Sequence, residues 1–98
     1  MAKLQRQIIL VDDETGVIDS APTLIDSQGK RLIIVDADDF SGATVSIQVE
    51  SNKGNFVTIQ DGNFTENGAK LMEGIISGMT IKVISSVSVT GLTVEISS

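Results

Sequence analysis

The chain has 98 residues, seven basic and thirteen acidic, so its net charge is −6, and it contains neither cysteine nor histidine. This composition excludes disulfides, zinc–thiolate sites and catalysis by a Ser–His–Asp or Cys–His arrangement. The basic residues are scattered apart from one adjacent pair. Proteins that bind nucleic acids or anionic membranes usually carry clustered positive charge. We therefore expect no nucleic-acid or membrane partner. The length predicts a single domain over residues 1–98, and the many Ile and Val residues favour a β domain.

The first third of the chain predicts three strands. Residues 7–13 (QIILVDD) form a compact apolar run that is typical of a buried strand, and too short for a signal peptide or a membrane span. Residues 16–26 contain Pro22, which predicts an edge strand or an irregular crossing because proline cannot donate to a central ladder. Residues 27–30 (SQGK) predict a hairpin turn that leads into a strand over residues 31–37.

The middle of the chain predicts a hairpin. In residues 43–62, apolar and polar side chains alternate, break at an Asn/Lys/Gly turn, and resume in a second strand. The DGN sequence at 61–63 predicts the end of that second strand. Residues 64–74 are ambiguous: Asn67 followed by Gly68 is a strong turn signal, and a short helix is the alternative.

The chain closes on two alternating strands, residues 79–86 and 92–98, on either side of a Val-Thr-Gly turn. In the last of these, every second side chain is apolar, and the apolar set should face inward (Leu92, Val94 and Ile96). Short strands separated by turns every 8–12 residues indicate an all-β fold. The sequence predicts an antiparallel β-sandwich, or a barrel-like sandwich, of about seven to eight short strands.

The densest acidic stretch, residues 36–42 (DADDFSG), begins like a calcium loop, because Asp36 and Asp38 have the spacing of the first and third ligands. The pattern then fails, since Phe40 occupies the fifth position and the closing glutamate is missing. Residues 12–14 form a second acidic group that would add ligands only if the two loops meet. Solvated turn residues are the simpler interpretation; we expect no metal, and calcium stays an alternative.

Two surface features suggest contacts with other proteins. The polar sides of the hairpin and of the last strand carry short side chains of low charge, which are desolvated at modest cost. The apolar runs at 8–11 and 74–79 exceed what one thin core clearly needs, so they belong either to the core or to a subunit interface. Ordinary solvent-facing surface is the alternative for the polar sides, whose residues are Thr44, Ser46, Gln48, Glu50, Thr93, Glu95 and Ser97.

Residues 40–98 contain the segments FSGATVSIQVES, NFVTIQDG and NFTENGAKLMEG, and the closing segments GMTIKVISS and GLTVEISS. This pattern resembles a recurrent type of small virion protein of tailed phages. In that type, a Gly-Ala-Thr-Val strand leads to a turn, an aromatic residue follows the turn, and two Thr/Val-rich strands end the chain. Phe56 stands where tryptophan is usual, and the N-terminal part of the chain falls outside the resemblance.

The resemblance implies a non-enzymatic structural protein of a phage particle, made in the host cytoplasm and located on the virion. Capsid decoration (cement) proteins, head fibres and small tail components are the kinds it includes. Decoration proteins of this kind are commonly trimers on the outer shell, where capsomers meet. The implied partners are therefore the major capsid protein or another virion protein, and further copies of the chain, with no cofactor and no catalytic residue.

Residues 1–15 are the segment that we expect to reach a neighbouring subunit as an arm. Chain ends are often ordered only by docking, and this end brings two basic side chains into an acidic chain. The expected contact residues are Lys3, Leu4, Arg6, Ile8 and Ile9.

Two other classes of function stay open. A carbohydrate- or host-surface-binding β-sandwich module would present a shallow polar groove, although the chain has no Trp or Tyr to stack on a sugar ring. A small enzyme would depend on carboxylates such as Asp36, Asp38 and Asp39, and would need a strongly perturbed acid in a cleft.

Overall fold

The computed structural model describes residues 7–25, 32–72 and 78–97, and all regular structure in these ranges is β-strand. There are eight strands in this part of the chain. Their bounds are β1 Gln7–Gly16, β2 Thr23–Leu24, β3 Leu32–Asp36, β4 Val45–Glu50, β5 Phe56–Phe64, β6 Gly68–Leu71, β7 Thr80–Ser85 and β8 Val89–Ser97.

The strands form two four-stranded sheets in which all neighbours are antiparallel. Sheet I has the order β1-β8-β3-β6, and sheet II has the order β2-β7-β4-β5. One hydrophobic cluster contains buried side chains from both sheets, so the core lies between them. The predicted all-β sandwich of seven to eight short strands is confirmed.

The core follows from alternation along the strands, since every second residue of a strand points to the same face. In β8, Leu92, Val94 and Ile96 are buried as predicted, and in β7 the buried residues alternate in the same way. The apolar members of the core are mostly Ile and Val, whose branched side chains favour strands. Within the described residues, the core consists of Val11, Ile18, Ile25, Ile33, Val35, Ala37, Ala43, Val45, Ile47, Phe64, Met72, Ile81, Val83, Val89, Leu92, Val94 and Ile96.

Most connections cross from one sheet to the other. Among the eight strands, only the consecutive pair β4 and β5 lies within one sheet. The predicted hairpin at 43–62 is therefore confirmed, but the predicted hairpin at 27–30 is wrong, because β2 and β3 belong to different sheets. The turn residues 27–30 themselves lie outside the described residues. Pro22 directly precedes β2, which is an edge strand as the proline predicted.

Three strands differ from the sequence prediction. β8 begins at Val89, so the predicted Val-Thr-Gly turn is wrong and these residues lie within the strand. The segment predicted as a buried strand, residues 7–13, lies in β1 at the edge of sheet I, because apolar runs do not reveal which strands have two neighbours. In β5, residues 59–62 lie opposite the single residue Ile47 of β4, and Asp61 has a φ of 62°. The predicted break at 61–63 is thus a bulge, after which the strand continues to Phe64.

Candidate interaction surfaces

The outer side of sheet I, opposite the core, is apolar along two cross-strand rows. Ile9 of β1, Ile34 of β3 and Ala69 of β6 share one row, and Leu32 of β3 and Leu71 of β6 share the next. At the two edges of the sheet, Ile9 is 55% exposed and Leu71 49% exposed. The outer side of an antiparallel sheet is usually polar. We call these five residues the apolar face.

Acidic side chains lie within and beside the apolar face. Glu95 of β8 lies between Ile9 and Ile34 in their row, and one row further Asp36 pairs with Thr93. Asp13 of β1 lies beside the same threonine, because its backbone N–H donates to Thr93 Oγ1 at 3.1 Å. The surface therefore combines apolar contact area with negative charge, and its chemistry fits a partner that is apolar with basic residues at the rim.

The two acidic loops singled out by the sequence do meet, over Gly91 of β8. A Cβ on Gly91 would lie 2.9 Å from Cγ of Asp38 and 3.4 Å from Oδ1 of Asp13. Within the described residues, however, no group of three or more Asp, Glu, His or Cys side chains is arranged to hold a metal ion. The loops therefore extend the acidic border at this end of sheet I, and we define that border as Asp13, Asp36 and Asp38.

Along β4 and the facing residues of β5, the outer side of sheet II is polar, and its side chains bond to one another. Ser46 Oγ donates to Asn63 Oδ1 at 2.6 Å, and Gln48 Nε2 donates to Thr58 Oγ1 at 3.3 Å. These pairs join β4 to β5 across the surface, where they satisfy part of its hydrogen-bonding capacity. The low-charge side of the predicted hairpin thus stabilises its own sheet.

A lysine adds a further cross-strand link on the same side of sheet II. The Nζ atom of Lys82 lies 3.0 Å from Oδ1 of Asp19 and 4.8 Å from the centre of the Phe56 ring. The ammonium group therefore contacts an anion and an aromatic face at once, and both contacts are with residues of its own chain.

A cleft of about 240 Å³ lies where the chain passes from β5 to β6, and residues 63–70 line it. Lys70 crosses this region, since its Nζ donates to the carbonyl oxygens of Asp61 at 3.2 Å and Asn63 at 3.0 Å. The same ammonium lies 4.6 Å from the centre of the Phe64 ring. The lysine thus fastens β6 to the bulged strand β5, which is a structural role.

The predicted contact residues fall into three groups. Lys3, Leu4 and Arg6 lie outside the described residues. Ile8 is half-buried and packs against the core, whereas Ile9 belongs to the apolar face. Sequence reasoning missed the other four members of that face. The signal for Leu32 and Ile34 was the LIIV run of β3, which is apolar on both sides of the strand; Ala69 and Leu71 belong to β6, in the segment whose structure the sequence left ambiguous.

Residues 7–15 of the predicted arm form most of β1, which pairs with β8 of the same chain.

No family model, no curated protein and no solved structure matches this chain. In the part of the chain that the structure describes, no helix has the length and hydropathy needed to cross a membrane.

Proposed function

We propose that this protein is a non-enzymatic structural protein of a tailed-phage particle, a capsid decoration protein that binds the outer shell and stabilises it. The observation that carries the proposal is the apolar face of sheet I with its acidic border. Four of its residues, Leu32, Ile34, Ala69 and Leu71, are contiguous on β3 and β6, and contiguous apolar surface on a small domain is typical of a protein-interaction site. The resemblance of residues 40–98 to phage virion proteins then supplies the kind of partner, the major capsid protein or another virion protein.

Attachment to a shell suits a surface of this modest size. Many copies on a lattice bind with higher effective affinity when they also contact one another, although each contact is small. Because the decoration protein binds the assembled shell better than free capsid subunits, it raises the stability of the assembled state. The acidic border would favour shell sites with basic residues, and it would keep copies without a partner apart.

The N-terminal segment would extend this interface. The first described residue, Gln7, pairs with Ser97 in the row that continues through Leu32 and Leu71. An arm that continues from Gln7 would start beside the apolar face, and its residues Lys3, Leu4 and Arg6 would contact a neighbouring subunit. The trimer that the resemblance implies would bring three such arms together on the shell.

The non-enzymatic part of the proposal is supported by the side chains themselves. The chain has no histidine or cysteine, and the carboxylates that a small enzyme would use, those of Asp36, Asp38 and Asp39, are exposed. In addition, Asp39 Oδ1 accepts a hydrogen bond from the backbone N–H of Ser41 at 2.9 Å, which is an ordinary turn contact.

The test uses capsids from a phage in which this gene is deleted, incubated with purified protein and sedimented. Leu71→Lys introduces a charge on the apolar face, and we expect binding to weaken about tenfold or more. Val87→Lys is the matched control, because Val87 lies in the β7–β8 turn and is 47% exposed, close to the 49% of Leu71. Circular dichroism and urea unfolding verify that both variants fold.

Two results would overturn the proposal. One is equal binding of wild type and Leu71→Lys to the capsids. The other is absence of the protein from purified virions of the phage that encodes it, measured by mass spectrometry. Binding of a glycan array by the wild-type protein, together with no capsid binding, would favour the carbohydrate-binding alternative.

A further inference from the structure

We propose that Asn67 is a modification site, at which the side-chain amide cyclises onto the backbone nitrogen of Gly68 and loses ammonia. The chain contains one Asn-Gly step. Cyclisation is least hindered at such a step, because glycine has no Cβ to obstruct the attack or to restrict the backbone. In the structure, Asn67 directly precedes β6, of which Gly68 is the first residue. The chemical step does not depend on the phage function.

The reaction needs only water as a co-reactant. The nitrogen of Gly68 forms a bond to Cγ of Asn67 and gives up its proton, the bond from Cγ to Nδ2 breaks, and ammonia leaves with that proton. Water then opens the resulting succinimide at either carbonyl carbon, which leaves aspartate or isoaspartate at residue 67. Both residues are exposed and line the cleft between β5 and β6, so water reaches them.

Two hydrogen bonds of the folded chain oppose this reaction. Asn67 Oδ1 accepts from the backbone N–H of Ala37 at 2.7 Å, which holds the amide side chain against the end of β3. Residues of a strand direct their N–H and C=O groups to alternate sides, so Val35, two residues before Ala37, also bonds toward β6. Val35 pairs with Gly68, and the two residues therefore exchange both ladder bonds. The N–H that must lose its proton is thus held by the carbonyl of Val35.

β6 must therefore leave β3 before the ring can form. β6 is an edge strand of four residues, all of them exposed, and within the described residues β3 is its only neighbour in the sheet. Strands of this kind open locally, at a lower free energy than unfolding of the whole domain. Cyclisation is thus slow while β6 is paired and fast during local opening.

Isoaspartate at residue 67 would alter the apolar face. In this product the main chain runs through the former side chain, so one extra carbon lies in the backbone directly before β6. The extra carbon displaces the following residues from their partners on β3, and these residues include Ala69 and Leu71 of the apolar face. This consequence rests on the proposed function where it concerns binding, because the apolar face is the capsid contact there.

The first experiment compares the full chain in native buffer with the same chain in urea concentrated enough to unfold it, both at mildly alkaline pH. Peptide mapping by mass spectrometry measures aspartate and isoaspartate at residue 67. We expect a reaction about tenfold faster or more in urea, a ratio that corresponds to an opening free energy of about 1.4 kcal/mol. Asn55 and Asn63 are internal controls, because each precedes a phenylalanine and should stay unmodified over the same time. Equal rates in the two buffers, or no reaction at Asn67 in urea, would overturn the inference.

Two variants test the attack and the local opening separately. Gly68→Ala puts a Cβ beside the attacking nitrogen, and the fold accepts it because nothing lies within 4 Å of that position. The reaction in urea should then slow about tenfold. Ser85→Ala weakens the domain in the other sheet, where Ile18 loses a hydrogen-bond acceptor. Since β6 opens by itself, the native rate at Asn67 should be unchanged in Ser85→Ala.

Two results with these variants would contradict the inference. One is a Gly68→Ala variant that reacts as fast as the wild type, since the attack would then not pass through the nitrogen of residue 68. The other is a Ser85→Ala variant whose native rate rises with its loss of stability, since the reaction would then require unfolding of the whole domain.

Capsid sedimentation keeps this inference distinct from the proposed function. Fresh wild type is compared with wild type and Gly68→Ala that were incubated in native buffer until isoaspartate accumulates in the wild type. Loss of binding by the incubated wild type alone is the expected result. Equal binding by isoaspartate-containing and fresh wild type would overturn the change in the apolar face. No binding by fresh wild type would contradict the proposed function, and the peptide map would still decide the modification of Asn67.

Discussion

Gly91 lies directly beneath the carboxylate of Asp38, so closely that a side chain on residue 91 would collide with it. The contact follows from the local backbone. The N–H of Asp38 donates to the carbonyl of Thr90 at 2.9 Å, and Asp39 forms an isolated bridge with Thr90. The β3–β4 loop is thereby held against β8, and a Cβ on residue 91 would require the Asp38 carboxylate to move aside.

We expect Gly91→Ala to lower the free energy of unfolding by about 1–2 kcal/mol. Gly91 has a φ of 59°, a left-handed conformation that costs a residue with a Cβ about that much. The collision itself adds little, since the exposed side chain of Asp38 can rotate away. Urea unfolding measures the change.

The double variant Gly91→Ala, Asp38→Ala separates the two causes. Removal of the Asp38 carboxylate should recover only a minor part of the loss, because the unfavourable φ remains. A double variant as stable as the wild type would show instead that the collision accounts for the whole effect.

Gly62 in the β5 bulge differs from Gly91, because a Cβ at Gly62 would collide with backbone atoms. A Cβ there would lie 2.9 Å from the carbonyl oxygen of Ile59 and 3.0 Å from that of Ile47, and backbone atoms cannot rotate away. We expect Gly62→Ala to cost about 3 kcal/mol, the upper part of the range for overpacking. Gly68→Ala is the matched control in a neighbouring strand: nothing lies within 4 Å of its Cβ position, so stability should change by less than about 0.5 kcal/mol. Equal urea midpoints for the two variants would contradict this account.

The strands with one buried side were predictable from the sequence, because apolar and polar residues alternate along a strand that is buried on one side only. β4 and β8 show this, since Val45, Ile47, Leu92, Val94 and Ile96 are buried as the alternation predicts, whereas Val57 of β5 is 51% exposed. The pairing of strands was not predictable in the same way. Residues 7–13 and 31–37 both look like buried strands, yet β1 is an edge and β3 lies between β8 and β6.

The candidate surface was only partly visible for the same reason. An apolar run such as LIIV is compatible with a strand that is buried on both sides. The sequence therefore did not show that Leu32 and Ile34 face outward. Leu71 lay in the ambiguous segment 64–74. Ile9 was predicted as a contact residue because of its position near the N-terminus, and the ladder is what places it in the same row as Ile34.

Ser85 is a polar core residue whose removal should be costly. Its Oγ accepts a hydrogen bond from the backbone N–H of Ile18 at 2.8 Å, and its own N–H donates to the carbonyl of Ile18 at 3.0 Å. The serine is only 7% exposed, so Ser85→Ala leaves the buried Ile18 N–H without its acceptor. We expect a loss of about 1–3 kcal/mol in urea unfolding.

Ser86→Ala is the control for this prediction. Ser86 Oγ accepts from the backbone N–H of Thr44 at 2.9 Å, but Ser86 is exposed and water can replace the hydroxyl. Its loss should stay below about 1 kcal/mol. If Ser86→Ala lowered the stability as much as Ser85→Ala does, the cost of losing the hydroxyl would not depend on its burial.

Deletion of residues 1–7 should abolish binding to capsids while the fold is retained. The deletion removes Lys3, Leu4 and Arg6, and within the described residues it removes only the first rung of the β1–β8 ladder, the pair of Gln7 and Ser97. Circular dichroism should therefore still show a β-sheet protein. Capsid sedimentation measures the binding, and Lys53→Glu at the hairpin tip, which changes the net charge by two as the loss of Lys3 and Arg6 does, controls for the change in net charge. Unchanged binding by the truncated protein would contradict the arm, and attachment would then depend on the apolar face alone.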